Sequence, residues 1–414
     1  MLSWPQVSIP ECDFPFAPLK INTSSGFFSE RGEVFRSYVC GITPYDATHL
    51  GHAATYLTFD LIHRYQTLRG QNVEFVENIT DIDDPLLERA NRDGQNWCSL
   101  AQEQINLFKE DMTALRVLPP KNYVAVTEVI NDVVLAITVI QENSYTYEIS
   151  GDLYFRITPF LDLLPIELDM ALKIFAERGG DPNREGKEHP LDPLLWQKNR
   201  DGEPGWDSPM GFGRPGWHIE CSVIALRFLF GESYLRAKDL PDPMIDLQGG
   251  GSDLIFPHHF MSAALGFAIT GKRFAASFVH TGMVGLEGEK MSKSKGNLVF
   301  VSKLLAAGLD PMVLRFALIN AKYSSDRMWT TDILESSQLQ VTIIRQALAR
   351  QFVLDPAKYI EQMIQAISSD LDIPKALEIL MEWAENSLSE INSPEIFTPG
   401  PMSRFLDSAL GLAL

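Results

Sequence analysis

The chain has 414 residues, 45% of them hydrophobic, which suffices for a sizeable core and predicts two or three domains. Its formal net charge of −19 argues against a broad nucleic-acid-binding surface, because such a surface needs a basic stripe that displaces counterions from phosphates. No apolar run is long enough to span a bilayer and the N-terminal segment lacks the basic start of a signal peptide, so we expect a cytoplasmic protein without a membrane partner.

The first predicted unit is a strand over residues 33–39, a turn, and a helix over residues 53–68. The turn contains Cys40 and the sequence HLGH, whose histidines are His49 and His52. Strand-to-helix turns face ligands in parallel α/β sheets, because the helix N-terminus offers free N–H groups and a positive dipole end. A pair of histidines at a helix start is, taken alone, more often structural than functional.

The second unit is a strand over residues 72–76 that leads into a helix, with Asp84 as the predicted N-cap and Pro85 as the first helical residue. Residues 99–146 are expected to be mainly helical, followed by a short strand at 152–155 and a polar glycine-rich loop at 177–187. The chain is then expected to return to the core at 213–221, to form a surface insertion around 232–243, and to form a strand, a glycine turn and a helix over 246–259. A last core strand at 277–284, a glycine- and lysine-rich loop at 285–297 and helices from 301 onward complete the prediction.

Four scattered cysteines do not form a disulfide framework in a chain of this length. Cys12 and Cys98 have no supporting neighbours and are predicted to be structural. Cys40, Cys221 and His258 each end a predicted core strand or begin the helix after it, so they can converge at one edge of the sheet. Two thiolates and an imidazole are a suitable ligand set for Zn²⁺. The alternative is three unrelated buried side chains, which the spacing alone does not exclude.

Two motifs, HLGH at residues 49–52 and KMSKS at residues 290–294, together resemble the signatures of class I aminoacyl-tRNA synthetases. Further segments are similar to the cysteinyl-tRNA synthetase pattern, namely residues 40–41, 78–83, 216–221 and 249–259. That family holds zinc with two cysteines, a histidine and a glutamate one turn further along. Here the last position is Ser262, so the resemblance implies a zinc with three protein ligands and a position open for the substrate thiolate.

Two features favour a shortened relative over a tRNA enzyme. From residue 301 onward there are nine Lys and Arg against fourteen Asp and Glu, a poor composition for reading an RNA backbone. Residues 177–182 (ERGGDP) and 39–53 resemble the cysteine ligase of mycothiol biosynthesis, and the similarity extends over the whole chain. The segment at 232–243 and the residues directly after His259 depart from that pattern.

This resemblance implies an α/β fold, with a Rossmann-like parallel-sheet class I synthetase core, an inserted subdomain and a C-terminal α-helical domain. The expected divisions are residues 1–115 and 206–300 for the two halves of the catalytic core, 116–205 for the inserted subdomain and 301–414 for the helical domain. The implied reaction joins L-cysteine to the amine of glucosaminyl-inositol through a cysteinyl-adenylate and releases AMP and pyrophosphate. ATP is the co-substrate, together with Mg²⁺, and one Zn²⁺ is bound per chain.

The implied catalytic residues are His49 and His52, which donate to phosphate oxygens, and Lys290 and Lys293, which stabilise the leaving pyrophosphate. Asp253 is the candidate partner of the cysteine ammonium group, with Asp81 as a competitor. The residues expected to contact cysteinyl-adenylate are Cys40, Gly41, Ile42, Thr43, Thr55, Asn78, Ile79, Thr80, Trp217, Gly251, Ser252, Asp253 and Val284.

Two other functions stay open at this point. One is a cysteinyl-tRNA synthetase of reduced size, docking tRNA through a local basic patch within residues 99–200. The other is a synthetase-like protein used only for binding or regulation, which the intact KMSKS motif disfavours. The expected partners are L-cysteine, ATP and glucosaminyl-inositol, without nucleic acid, and the chain is taken to be a monomer.

Overall fold

The structure is a computed structural model that describes the chain except for residues 24–25, 29–30, 236, 238, 287, 292–296 and 390–396. Within the described residues, no helix combines the length and apolar character needed to cross a membrane. The strands are β1 Asn22–Thr23, β2 Gly26–Phe27, β3 Val34–Val39, β4 Asn72–Ile79, β5 Asn122–Ala125, β6 Thr146–Ile149, β7 Asp152–Phe155, β8 Leu194–Lys198, β9 Gly213–Pro215, β10 Ile245–Gly251, β11 Ala275–Thr281, β12 Val284–Leu286, β13 Glu289–Lys290 and β14 Arg327–Trp329. The helices are α1 Leu50–Leu68, α2 Asp84–Asp93, α3 Trp97–Ala114, α4 Ile130–Glu142, α5 Leu168–Glu177, α6 Trp217–Phe230, α7 Phe260–Thr270, α8 Val301–Ala306, α9 Pro311–Ile319, α10 Thr331–Leu348, α11 Pro356–Ser368, α12 Ile373–Leu388 and α13 Gly400–Leu410.

A five-stranded parallel sheet in the order β11-β10-β3-β4-β5 forms the centre of the fold. The chain runs outward from β3 to β5 and later returns to the other side of β3 with β10 and β11. The direction of winding therefore reverses between β3 and β10, which opens a crevice at the carboxyl ends of these two strands. This doubly wound arrangement confirms the predicted Rossmann-like α/β core.

The stretch over residues 99–146 is mainly helical, as predicted, but it also contains the strand β5, which was not predicted and forms the outer edge of the parallel sheet. Four residues between two helices are too few to show a period of two, so the strand has no clear sequence pattern. A second strand, β14, interrupts the helices after residue 301 and pairs with β12.

The start of α2 also differs from the prediction by one residue. Asp83 is the N-cap, with φ of −162° and ψ of 158°, and its side chain accepts a hydrogen bond from the Asp84 N–H. Asp84 and Pro85 are the first two helical residues. Aspartate is a preferred N-cap residue, and Asp83 and Asp84 are adjacent, so the sequence does not show which of the two caps the helix.

The inserted region contains an antiparallel sheet in the order β6-β7-β8-β9, as the predicted strand at Asp152–Phe155 implied. The segment at 232–243 is not purely a surface insertion, because Tyr234 is buried in a short helical turn. Residues 246–259 form a strand, a short 3-10 turn and an irregular π-helical turn, and the regular helix begins only at Phe260.

The C-terminal helices pack on α1, and buried charges lie at that junction. Asp60 and Arg64 in α1 and Arg315 in α9 are fully buried, and both guanidinium groups donate to the Asp60 carboxylate. Arg64 also donates to the carbonyl of Asp407, whereas Arg315 donates to the carbonyl of Leu410. These bonds fix the rear of α1 to α13, so the helix that begins at the predicted ligand-binding turn is held from behind.

Candidate active site

The three predicted metal ligands meet at the carboxyl end of the sheet. Cys40 follows β3, Cys221 lies in the second turn of α6 and His258 precedes α7, and their ligand atoms all lie within 4.8 Å of one another. All three side chains are buried, and Nε2 of His258 is 3.2 Å from Sγ of Cys221. This group could hold a metal ion, and its soft donors favour zinc-like metals over magnesium or calcium.

The His258 ring is oriented by two neighbours from α6. Its Nδ1 lies 3.0 Å from Nδ1 of His218, and Trp217 stacks on it with ring centroids 4.2 Å apart and planes inclined by 17°. Burial lowers the pKa of His218 to about 3 and that of His258 well below its ordinary value. Both imidazoles are therefore neutral at physiological pH, which leaves Nε2 of His258 available as a ligand.

The fourth metal-ligand position of the resembling family is Ser262, and its hydroxyl is occupied elsewhere. Ser262 is fully buried in α7 and its Oγ donates to the carbonyl of His218 at 3.2 Å. The backbone carbonyl of Ser262 accepts in turn from Ser222. Among the residues that the structure describes here, three side chains are therefore placed so that they could bind a metal, and Ser262 is a packing residue.

A hydrogen-bond network centred on Asn78 joins the ends of β3 and β4. The Oδ1 of Asn78 accepts from the Tyr38 hydroxyl and from the Gly41 N–H, both at 2.8 Å, and its Nδ2 donates to Thr80 at 3.1 Å. A Cβ on Gly41 would lie 1.6 Å from the Asn78 carbonyl oxygen, so only glycine fits there. The Thr80 N–H donates to the carbonyl of Ile42 at 3.1 Å, which fixes the loop after Cys40.

The two candidate partners of the cysteine ammonium group have different surroundings. Both oxygens of Asp81 accept from Thr127, one from its N–H at 3.0 Å and one from its hydroxyl at 2.5 Å, so this carboxylate is used to hold the chain together. Asp253 follows β10 in a short 3-10 turn, with its carboxylate 2.5 Å from the position that a Cβ on Gly251 would take. The Asp253 carboxylate therefore lies next to the glycine turn.

The remaining predicted binding residues lie on separate segments of the chain. Ile79 is buried at the end of β4, and the Thr43 carbonyl accepts from the Tyr45 N–H at 2.9 Å. Ser252 begins the 3-10 turn after β10, and Val284 is buried in β12 beyond the end of the parallel sheet. They therefore lie on four different segments, and only Ser252 belongs to the glycine turn.

His49 is the N-cap of α1 and uses one ring nitrogen for that role. Its Nδ1 accepts from the backbone N–H groups of Gly51 at 3.0 Å and His52 at 3.4 Å. Nδ1 therefore carries no proton, and the neutral ring has its N–H at Nε2. The His49 and His52 rings are stacked, with centroids 3.7 Å apart. A Cβ on Gly51 would lie 2.8 Å from the His49 ring, which explains the glycine between the two histidines.

The segment after the lysine motif is joined to the histidine turn through the backbone. Leu50 N–H donates to the carbonyl of Val299, and Val301 N–H donates to the carbonyl of Thr48, both at 3.0 Å. Thr55 Oγ1 and Thr281 Oγ1 are 2.7 Å apart and connect α1 to the end of β11. The histidine turn and the segment that follows the lysine motif, more than two hundred residues apart, are thus neighbours in space.

The lysines themselves are described only in part. The backbone of Lys290 belongs to β13 and pairs with Gly285 of β12. Lys293 lies outside the described residues, as does the side chain of Lys290. Their predicted contacts with pyrophosphate stay a prediction.

Sequence reasoning missed several residues at this site. His259 lies with Nε2 3.2 Å from Sγ of Cys40 and Nδ1 2.8 Å from Nε2 of His280, and burial lowers the pKa of His280 to about 4. The Arg178 guanidinium donates to the Phe256 carbonyl at 2.8 Å and so connects the 177–182 loop with the segment that carries His258. The doubled histidine at 258–259 was the one sequence signal for His259. Arg178 had no such signal, because its position depends on a contact between distant segments.

Comparison with known proteins shows the family and the fold. The family described as tRNA synthetases class I (C) catalytic domain matches residues 28–339. Among solved structures, Mycobacterium tuberculosis methionyl-tRNA synthetase in complex with methionyl-adenylate is similar with a TM-score of 0.62 and 16% identity, over 92% of this chain and 89% of that chain. At this identity the likeness concerns the fold alone. The fold and the matching family define a class I synthetase catalytic domain.

Relatives in sequence narrow the family further. Proteins named L-cysteine:1D-myo-inositol 2-amino-2-deoxy-alpha-D-glucopyranoside ligase include one from Gordonia bronchialis, 46% identical over the full length of both chains, and one from Kribbella flavida, 48% identical over 94% of this chain and 95% of that one. The chain belongs to this family of ligases within the class I synthetase group.

Proposed function

We propose that this protein joins L-cysteine to the amine of glucosaminyl-inositol, the 1D-myo-inositol 2-amino-2-deoxy-α-D-glucopyranoside in the names of its relatives. The observation that carries the proposal is the buried group of Cys40, Cys221 and His258 at the crevice between β3 and β10, where the winding of the chain reverses. A soft metal at that place selects a thiol substrate, and the histidine and lysine motifs supply the parts needed to activate a carboxylate with ATP.

The first half-reaction forms cysteinyl-adenylate. A carboxylate oxygen of cysteine attacks the α-phosphorus of ATP, and the bond to the bridging oxygen of pyrophosphate breaks. The substrate supplies the nucleophile, so the protein positions the two reactants and stabilises charge. His49 donates from Nε2 to a phosphate oxygen, since its Nδ1 is engaged at the helix start. His52 assists from the adjoining turn, and Lys290 and Lys293 neutralise the departing pyrophosphate together with Mg²⁺.

The residues at the sheet edge fit a zinc ion, which would be held by Sγ of Cys40, Sγ of Cys221 and Nε2 of His258. The ion would bind the substrate sulfur as a thiolate and gain little from the hydroxyl of serine, a discrimination that pocket size alone provides poorly. With Nε2 of His258 used as a ligand, its Nδ1 carries the proton and donates to Nδ1 of His218, which fixes the ring. Ser262 leaves the fourth position to the substrate.

The other end of cysteine is held by the polar turn residues. The Asp253 carboxylate accepts hydrogen bonds from the α-ammonium group of cysteine, because the oxygens of Asp81 already accept hydrogen bonds from Thr127. Thr80 and Trp217 border the side chain, with the Trp217 ring stacked on His258. Gly41 and Gly251 allow the adenylate to approach the backbone closely. These contacts place the carboxylate of cysteine next to the phosphate donors of α1.

In the second half-reaction the neutral amine of the acceptor attacks the carbonyl carbon of the adenylate. The amide bond forms, the bond from carbonyl carbon to the phosphate oxygen breaks, and AMP leaves. The ammonium form must lose one proton before the attack and the new amide nitrogen loses a second proton after it. We also propose that the domain boundaries lie at residues 115, 205 and 300, as predicted. Every residue assigned to the first half-reaction lies between Cys40 and Lys293.

An acceptor test decides between this function and a cysteinyl-tRNA synthetase. The enzyme is incubated with cysteine, ATP and Mg²⁺, and glucosaminyl-inositol or tRNA is then added in parallel. We expect AMP release and amide formation with the amino sugar and no cysteine transfer to tRNA. The acidic chain, at −19, also disfavours a polyanionic acceptor. Transfer to tRNA at a comparable rate would overturn the proposal.

A further inference from the structure

A cavity of about 420 Å³ lies next to the histidine turn, outside the group of metal ligands. Its walls come from three segments: the loop after β3 with Tyr45 and Asp46, the exposed side of α2 with Glu88 and Arg89, and the stretch after the lysine motif with Phe300. Small-molecule sites in proteins usually measure about 300–1,000 Å³, so this cavity has room for a small ligand.

The topology places this cavity on the opposite side of the β3 loop from the switch-point crevice. The crevice lies between β3 and β10, whereas α2 follows β4 on the other side of β3. Phe300 forms an antiparallel bridge with His49, so the cavity adjoins the predicted phosphate donor. A ligand here would lie beside the turn that carries the proposed phosphate donors.

The basic side chains of the wall are engaged with carboxylates. Arg89 pairs with Asp93 and donates to the carbonyl of Tyr45 at 3.2 Å, and Arg92 pairs with Asp93 at 2.7 Å. Glu88 is exposed, and it forms no hydrogen bond or ion pair with any residue that the structure describes. Arg89 also lies 3.9 Å from Asp46, so the two arginines face two carboxylates. Among the charged groups that the structure describes here, Glu88 therefore adds one further negative charge, which favours a cation and disfavours a phosphate.

We propose that this cavity binds the acceptor as a cationic, polyhydroxylated amine, with Glu88 accepting the ammonium group before it is deprotonated. The proposal rests on the proposed function, since it assigns the second substrate of the same reaction. The aromatic ring of Tyr45 provides an apolar wall for a sugar face, and the carboxylates and N–H groups around it suit hydroxyl groups. The competing occupant is the triphosphate of ATP.

The test compares Glu88→Gln with wild type in two assays. Cysteine-dependent ATP–pyrophosphate exchange reports the first half-reaction alone, and amide formation with glucosaminyl-inositol reports both. Losing a charged hydrogen bond of about 1.5–3 kcal/mol predicts that the acceptor KM rises about 10-fold or more, with the exchange rate and the ATP KM within about 2-fold of wild type. Glu103→Gln, at an exposed position of α3, is the matched control and should behave as wild type.

A second arm uses the acceptor analogue in which a hydroxyl replaces the amine. It inhibits amide formation competitively, and its Ki should be the same for wild type and Glu88→Gln because it lacks the ammonium group. An unchanged acceptor KM in Glu88→Gln, or a raised ATP KM in exchange, overturns the assignment of the cavity. Wild-type enzyme that exchanges pyrophosphate but makes no amide overturns the proposed function itself, so the two failures are distinguishable.

Discussion

The two ends of the crevice are held in different ways. At the metal end, side chains hold side chains: Trp217 and His218 orient His258, and His259 contacts Cys40. At the histidine end the backbone does most of the positioning, through the start of α1 and the two hydrogen bonds that join Thr48 and Leu50 to the segment 299–301. The difference fits the proposed tasks, because a metal site needs fixed ligand geometry whereas a pyrophosphate site has to release its product.

The histidine end also depends on the rear of α1, where buried charges connect it with the C-terminal helices. Burial alone would raise the pKa of Asp60, but Arg64 and Arg315 lower it below its ordinary value. That contribution to stability is present above the ordinary carboxyl pKa of about 4 and is lost as the pH falls through the lowered folded-state pKa. The catalytic turn and the C-terminal helices are thus expected to unfold together.

Removing the buried charge of Asp60 should have the largest effect. Asp60→Asn leaves two buried guanidinium groups without their carboxylate, so the free energy of unfolding should fall by about 3–5 kcal/mol. Urea denaturation followed by circular dichroism measures the change. Asp132→Asn, which breaks the half-exposed pair with Arg227, is the control and should cost about 1 kcal/mol or less. Equal losses in both variants would contradict the anchoring role.

Lys290→Ala should slow adenylate formation with little change in cysteine binding, because its contact with pyrophosphate strengthens as the bond breaks. We expect the rate of ATP–pyrophosphate exchange to fall about 10²–10³-fold. Lys322→Ala, at an exposed position, is the control. An exchange rate equal to that of wild type, with only the cysteine affinity altered, would exclude the proposed role.

His218→Ala tests the metal end through a residue that touches no ligand atom of the metal directly. Without its partner, His258 is free to rotate, so the zinc affinity should fall about 10–100-fold. Competition with a chelator measures it. His189→Ala serves as control, since that histidine accepts from Leu191 in the inserted region. A chelator titration identical to that of wild type would show that stacking on Trp217 suffices to hold the ring.

The smallest expected effect is that of Thr55→Val, which removes the hydrogen bond between α1 and β11. The free energy of unfolding should fall by about 1 kcal/mol. Thr58→Val, whose hydroxyl donates only within α1 to Ala54, is the matched control and should cost less. If Thr58→Val proves the more damaging of the two, the link between the helix and the sheet edge contributes little.

The parts predictable from sequence were those with local patterns. The parallel core and the convergence of Cys40, Cys221 and His258 followed from strand ends and helix starts along the chain. The strand β5 was not predictable, because four residues show no period. The contacts of His259 with Cys40 and of Arg178 with Phe256 were beyond sequence as well, since each depends on how distant segments pack.

The central claim is that the metal end of the crevice holds one zinc ion that receives the substrate thiol. Zinc per chain, measured by elemental analysis of purified wild type, Cys221→Ala and the control Cys98→Ala, tests it most directly. Cys98 is exposed and does not belong to the ligand group, so its variant isolates the effect of removing a thiol. We predict one zinc per chain in wild type and in Cys98→Ala and a large loss in Cys221→Ala. Full zinc content in Cys221→Ala, or none in wild type, would contradict the account.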